Sequence, residues 1–180
     1  MTTVQFIVFA VIMTFLISAS YAGYSAAPFW PSKKRECQNV IKSVKLKEGQ
    51  KFYELGCGSG TILFSIAKKY PEAMFIGYDI SIFPFLYART KKLLGRYTNT
   101  KIQMKNLFKQ DLSDADVVFV FLMEKCYPRL TQKFAQELKD ESVVVFQGWA
   151  LPEIKYEKMN RPDDTLPLYF YRGAQFREML

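Results

Sequence analysis

Hydrophobic and polar positions follow two rhythms along most of the chain, and the first stretch follows neither. Val4 to Ala22 is 19 residues without a charge, and its polar members, Gln5, Thr14, Ser18, Ser20 and Tyr21, form no stripe. A helix packed in a globular core needs a polar face. An uncharged helix of this length rises roughly 28 Å, close to the thickness of a bilayer core. The pattern therefore predicts one transmembrane helix.

Beyond it the rhythms alternate. Helical spacing predicts a helix over 35–46, with Val40, Ile41 and Val44 on one face. After the turn Lys47-Glu48-Gly49-Gln50 comes a strand over 52–55. A helix follows over 61–70, with Ile62, Leu63, Ile66 and Ala67 on one face and Lys68 and Lys69 in its last turn; Pro71 marks its end. Residues 73–78 form a second strand closed by Asp79, and 82–94 a helix that tolerates Pro84 in its first turn. Further strands are expected at 101–105, 115–122 and 142–146, with a helix at 127–138 carrying Leu130, Phe134 and Leu138 on one face. The stretch at 115–122 is the most apolar, as suits a central parallel strand. Two last strands, 154–159 and 166–171, flank the turn Asn160-Arg161-Pro162-Asp163-Asp164.

Such alternation implies an α/β fold, a mostly parallel sheet covered on both faces, with an antiparallel C-terminal edge. The expected organisation is an anchor over 1–24, a Pro-bearing linker and first helix over 25–50, and one domain over 51–180.

Composition changes this picture by exclusion. The chain has no histidine, so a Ser-His-Asp or Cys-His hydrolase and a histidine zinc site are ruled out in their usual forms. Cys37, Cys57 and Cys126 lack CxxC spacing, so no metal site is expected, and they read as reduced thiols. The net charge of +8 suits either an anionic partner or a solvated surface; no compact basic block speaks for nucleic acid. The first cations, Lys33, Lys34 and Arg35, follow the apolar stretch, and none precedes it. A cleaved signal peptide needs a basic start, which is missing, so a retained anchor is expected. The positive-inside rule places the domain on the cytoplasmic or equivalent inner side. Tyr21, Tyr24, Phe29 and Trp30 fall where an interfacial aromatic belt belongs.

Ligands of parallel sheets bind beyond the carboxyl ends of the strands. The first such end carries Glu54-Leu55-Gly56-Cys57-Gly58-Ser59-Gly60. Its glycines permit close approach of backbone to a ligand, and it opens a helix whose free N–H groups attract an anion. Thr61 stands where a dinucleotide fingerprint needs glycine, and the Lys of a P-loop is absent. A plain glycine turn stays open as the alternative. Asp79, at the second strand end, suits ribose hydroxyls; its rival role is a helix cap, which Ser81 could supply instead. Asn106, after the third strand, suits an adenine edge or a simple turn.

Together, Glu54 to Gly60 and Asp79 resemble the first motif and the ribose acid of class I S-adenosylmethionine-dependent methyltransferases. The implied fold is Rossmann-like. A narrower resemblance lies in Pro28-Phe29-Trp30-Pro31-Ser32 behind an apolar span, in Asp111 to Phe119, and in Ser142 to Phe146. These are similar to a lysine methyltransferase family that includes mitochondrial enzymes acting on the c-ring protein of ATP synthase and on the adenine nucleotide translocase, with short bacterial relatives. The resemblance covers roughly residues 26–150 and departs at Ser59 and Asn106, where Asp is usual. It implies S-adenosylmethionine contacts from Pro31, Ser32, Glu54, Gly56, Cys57, Gly58, Gly60, Asp79, Ile80, Asn106 and Leu107.

Methyl transfer is an in-line displacement, to which a protein contributes mainly alignment. Phe121, Leu122 and Met123, after the fourth strand, are the candidates for the acceptor channel, with Phe29 and Trp30 from the linker; packing is their alternative role. Aromatic walls would lower the pKa of an entering lysine, so no histidine base is required. A tethered site favours a lysine of a membrane protein as acceptor. A lipid, quinone or RNA acceptor, a non-enzymatic cofactor-binding module, and hydride transfer are the alternatives.

Overall fold

The computed structural model describes residues 2–25 and 32–178, and leaves the side chains of 18–25 outside that description. The expected aromatic belt and Pro28 to Pro31 of the linker motif therefore lie outside the described residues. Strand β1 (Lys51–Leu55) is followed by helix α3 (Thr61–Ala67), β2 (Met74–Asp79), α4 (Ile82–Gly95), β3 (Thr100–Met104), β4 (Val117–Val120), α5 (Tyr127–Glu137) and β5 (Val143–Gln147). These strands form the parallel part of one sheet, in the order β3-β2-β1-β4-β5. β7 (Leu168–Arg172) pairs antiparallel with β5, and β6 (Lys158–Asn160) with β7, which makes the expected antiparallel edge.

Strand alternation assigns each side chain to a layer. Phe52, Val117, Phe119 and Val145 face one layer, with α3 and with α2 (Lys34–Ser43). Tyr53, Val118, Val120 and Phe146 face the other, with α5. The same alternation turns Glu54 toward α3, where it accepts a bond from Leu63 N, and Gln147 toward α2, where it bonds Glu36. The chain reverses its winding direction between β1 and β4, so the loops leaving those two strands meet at the switch point.

Several expected boundaries move. α3 ends at Ala67, so Lys68 and Lys69 lie past its last turn rather than in it. Residues 154–156 do not extend β6: Leu151 N donates to the buried Tyr171 hydroxyl, bonding to β7 begins with Glu157 N on Phe170 O, and the strand register starts at Lys158. An unexpected helix, α6 (Gly173–Arg177), packs on α5; it is too short to show a period in the sequence.

The N-terminal apolar stretch forms α1 (Thr3–Ser25). Its described side chains are exposed, Val4, Phe6 and Phe9 by more than half, and Phe15 meets Phe83 of α4 edge-on at 5.1 Å. Among the described residues no helix is long and apolar enough to cross a membrane. The structure thus shows a helix where one was expected, but not a span.

Candidate active site

At the switch point lies a cavity of ≈ 680 Å³, within the ordinary size range of small-molecule sites. Its floor is the loop after β1. Gly56, Gly58 and Gly60 have φ of 79°, 50° and 68°, a left-handed region that side chains rarely adopt. At Gly56 the need is also spatial, since a Cβ there would lie 2.7 Å from Leu122 Cδ2. The loop leaving β4 thus packs directly on the loop leaving β1.

The expectation of free N–H groups holds only in part. Gly56 N and Cys57 N both donate to Tyr78 O, Gly60 N to Cys57 O, Gly58 N to Asp79 Oδ2 and Leu63 N to Glu54 Oε2. Helix α3 has only 7 residues, and a protein carboxyl already takes a first-turn donor. Protein acceptors thus take these five donors, which narrows the expected anion site to the N–H groups of Ser59, Thr61 and Ile62.

Glu54 is buried at the cavity wall, and burial pushes its carboxyl up to about 8, with the Asp79 charge adding and the Leu63 N–H opposing. Burial also raises the Cys57 thiol. Asp79 receives Gly58 N and Ser81 N, each at 2.7 Å, one on each carboxylate oxygen. Ser81 sits at the helix cap position but makes no side-chain cap bond, so Asp79 does not hand that role over. Each oxygen of Asp79 keeps a further acceptor position for a ligand. Asn106 takes the turn role: its Oδ1 accepts Phe108 N at 3.0 Å, leaving its amide N–H groups to offer a ligand.

Of the expected cofactor residues, Ser32, Glu54, Gly56, Cys57, Gly58, Asp79, Ile80, Asn106 and Leu107 line this one cavity. Gly60 stands behind it, where a Cβ would strike the Phe64 ring, and Pro31 lies outside the described residues. Phe121, Leu122 and Met123 line it as well. Several further lining residues were not expected from sequence, among them Glu36 of α2, Lys105 after β3, Trp149 beyond β5, and Leu166 before β7. Trp149 was findable, because it follows a parallel strand's carboxyl end. Glu36 was not, because a single acid on an amphipathic helix reads as solvent-facing.

Comparison with known proteins agrees with this geometry. Residues 54–158 match the family described as ANTKMT methyltransferase domain. A protein-lysine N-methyltransferase of Saccharolobus islandicus (strain REY15A) is 26% identical over 153 residues, covering 79% of this chain and 92% of that protein. The Homo sapiens lysine N-methyltransferase named for the C-subunit of ATP synthase is 27% identical over 126 residues, 69% of this chain but only 53% of the human protein. The chain thus spans about half the length of its mammalian relatives. Among solved structures, an RNA methyltransferase from Salinibacter ruber in complex with S-adenosyl-L-homocysteine superposes with a TM-score of 0.73, at 21% identity over 79% of this chain and 93% of that one. At that identity the likeness concerns the fold.

S-adenosylmethionine is the cofactor, and the residues present fit it. It brings positive charge on its sulfonium and amino groups and negative charge on its carboxylate, and the cavity is lined by both signs, Glu54 and Asp79 with Lys33, Arg35 and Lys105. Its ribose hydroxyls suit the unused acceptor positions of Asp79.

Proposed function

The chain belongs to the ANTKMT methyltransferase domain family, and from that premise we propose that it methylates the side-chain amine of a lysine in a membrane-associated protein while anchored by its N-terminal helix. The observation that carries this reading is the lining of the cavity: the glycine loop with Glu54 and Asp79, which suits the cofactor as a first half, and the apolar side chains Phe121, Met123 and Trp149, which make a second. S-adenosylmethionine supplies a methyl group activated by its positively charged sulfur. The second half suits a long aliphatic side chain ending in an amine. Aromatic walls desolvate that amine and favour its neutral, nucleophilic form. Phe121, Leu122 and Met123 then align the acceptor, with Leu122 wedged against Gly56. The names of the archaeal and human relatives support lysine as the acceptor.

Membrane attachment draws support from α1, uncharged from Thr3 to Ser25. It also draws support from α4, where Leu86, Tyr87, Leu93 and Leu94 are at least half exposed, with Arg89 and Arg96 nearby in sequence. On this reading the domain lies on the cytoplasmic or equivalent inner side. Protease treatment of sealed vesicles should digest the domain only when that side faces outward.

The activity test uses purified protein, methyl-labelled S-adenosylmethionine and membrane extracts. Wild type should place label in methyllysine. Gly58→Arg, which forces a large side chain onto a φ of 50°, should not. Equal labelling by the two proteins would refute the reading.

A further inference from the structure

One wall of the cavity holds a carboxylate that lacks a counter-ion. Glu36 of α2 is only 7% exposed, and it borders the cavity. Its partners are neutral donors: Gln147 Nε2 at 2.7 Å, and Leu166 N at 3.2 and 3.3 Å from its two oxygens. Among the described residues no Lys or Arg pairs with it, and the adjacent Arg35 is drawn to Asp164. Buried charges are normally paired with an opposite charge.

A second unmatched acceptor lies beside it. Gln147 is fully buried, and its Oε1 has no hydrogen-bond partner. That oxygen belongs to the same amide whose N–H bonds Glu36, so the two acceptors are neighbours. Glu36 has only neutral donors and Gln147 Oε1 has none, and an ammonium group brings three donors and a positive charge. Phe121 and Trp149 line the same cavity, and aromatic rings attract cations.

We propose that Glu36 is the specificity-determining group for a cationic acceptor. It draws in the lysine ammonium on entry, the ammonium gives its proton to water before transfer so that the neutral amine attacks the methyl group, Gln147 positions the Glu36 carboxylate, and Phe121 and Trp149 wall the aliphatic stem. This inference rests on the lysine reading above and deepens it. The positive charge that builds on the acceptor nitrogen during transfer also lies against Glu36, so the interaction serves the transition state as well as binding. Glu54, bonded to Leu63 N behind the glycine loop, remains the carboxyl of the cofactor half.

The test uses the full chain saturated with S-adenosylhomocysteine. Two probes are compared by ligand-observed NMR titration: Nα-acetyl-lysine amide, and Nα-acetyl-norleucine amide as its uncharged counterpart. Wild type should bind the lysine probe at least roughly tenfold more tightly, as expected for a charge-assisted bond. Glu36→Gln should erase that preference while leaving S-adenosylhomocysteine affinity within about twofold of wild type. Equal binding of the two probes by wild type would overturn the proposal, and this comparison needs no variant to fold. A Glu36→Gln protein that retains the preference would also overturn it. So would one that loses S-adenosylhomocysteine affinity with acceptor binding unchanged, which would assign Glu36 to the cofactor. The lysine reading fails separately, if wild type forms no methyllysine in membrane extracts.

Discussion

Replacing Glu54 by Gln tests the electrostatics of the cavity floor. The amide keeps an oxygen to accept Leu63 N, now 2.9 Å from Glu54 Oε2, and removes the charge. In the folded protein, burial lifts this carboxyl from 4.5 to about 8. Because the folded value lies above the unfolded one, the folded state holds the proton more tightly. The stability this provides is complete below about pH 4.5 and is lost as pH rises through about 8. At ~1.36 kcal/mol per pH unit, the full rise corresponds to on the order of 5 kcal/mol. Denaturant unfolding of cofactor-free protein at pH 5, 7 and 9 should show wild type losing stability relative to Glu54→Gln, most of it between pH 5 and 8. Saturating S-adenosylmethionine should flatten the wild-type profile, because a bound cation favours ionised Glu54. Below pH 8, cofactor binding by wild type should then release a proton, measurable by calorimetry in buffers of different ionisation enthalpy. Parallel pH profiles for the two proteins, together with binding that releases no proton, would show the argument to be wrong.

Asp79→Asn should weaken S-adenosylmethionine binding by roughly tenfold or more in calorimetry, since one amide oxygen cannot replace two carboxylate oxygens holding Gly58 N and Ser81 N. Gly56→Ala places a Cβ in the left-handed region and 2.7 Å from Leu122 Cδ2. It should destabilise by about 1–2 kcal/mol in denaturant unfolding and lower turnover through the displaced Leu122. Gly173→Ala would bring a Cβ to 1.9 Å from Lys139 O, a backbone atom that cannot swing away. A stability loss of about 2 kcal/mol or more should follow, with cofactor affinity per folded molecule unchanged. Tyr171→Phe removes the buried hydroxyl that accepts Leu151 N. It should destabilise by about 1–3 kcal/mol in the same assay.

The alternating elements, the glycine loop and the acid after the second strand were all legible in the residues alone. These features are local: a few consecutive residues carry the period, the turn and the strand end. Phe52 and Tyr53 facing opposite layers follow from strand geometry alone. Which polar atoms remain available emerges only on folding. Glycine-loop N–H groups that looked open to a ligand are bonded to Tyr78 O and Asp79, and Asn106 is bonded to its own turn. Folding also makes the second half of the cavity, where Glu36 meets Gln147 across 111 positions of sequence. No local pattern records such a meeting, because the partners share neither an element nor a turn. Their proximity comes from the packing of α2 onto the face of the sheet to which Val145 and Gln147 point.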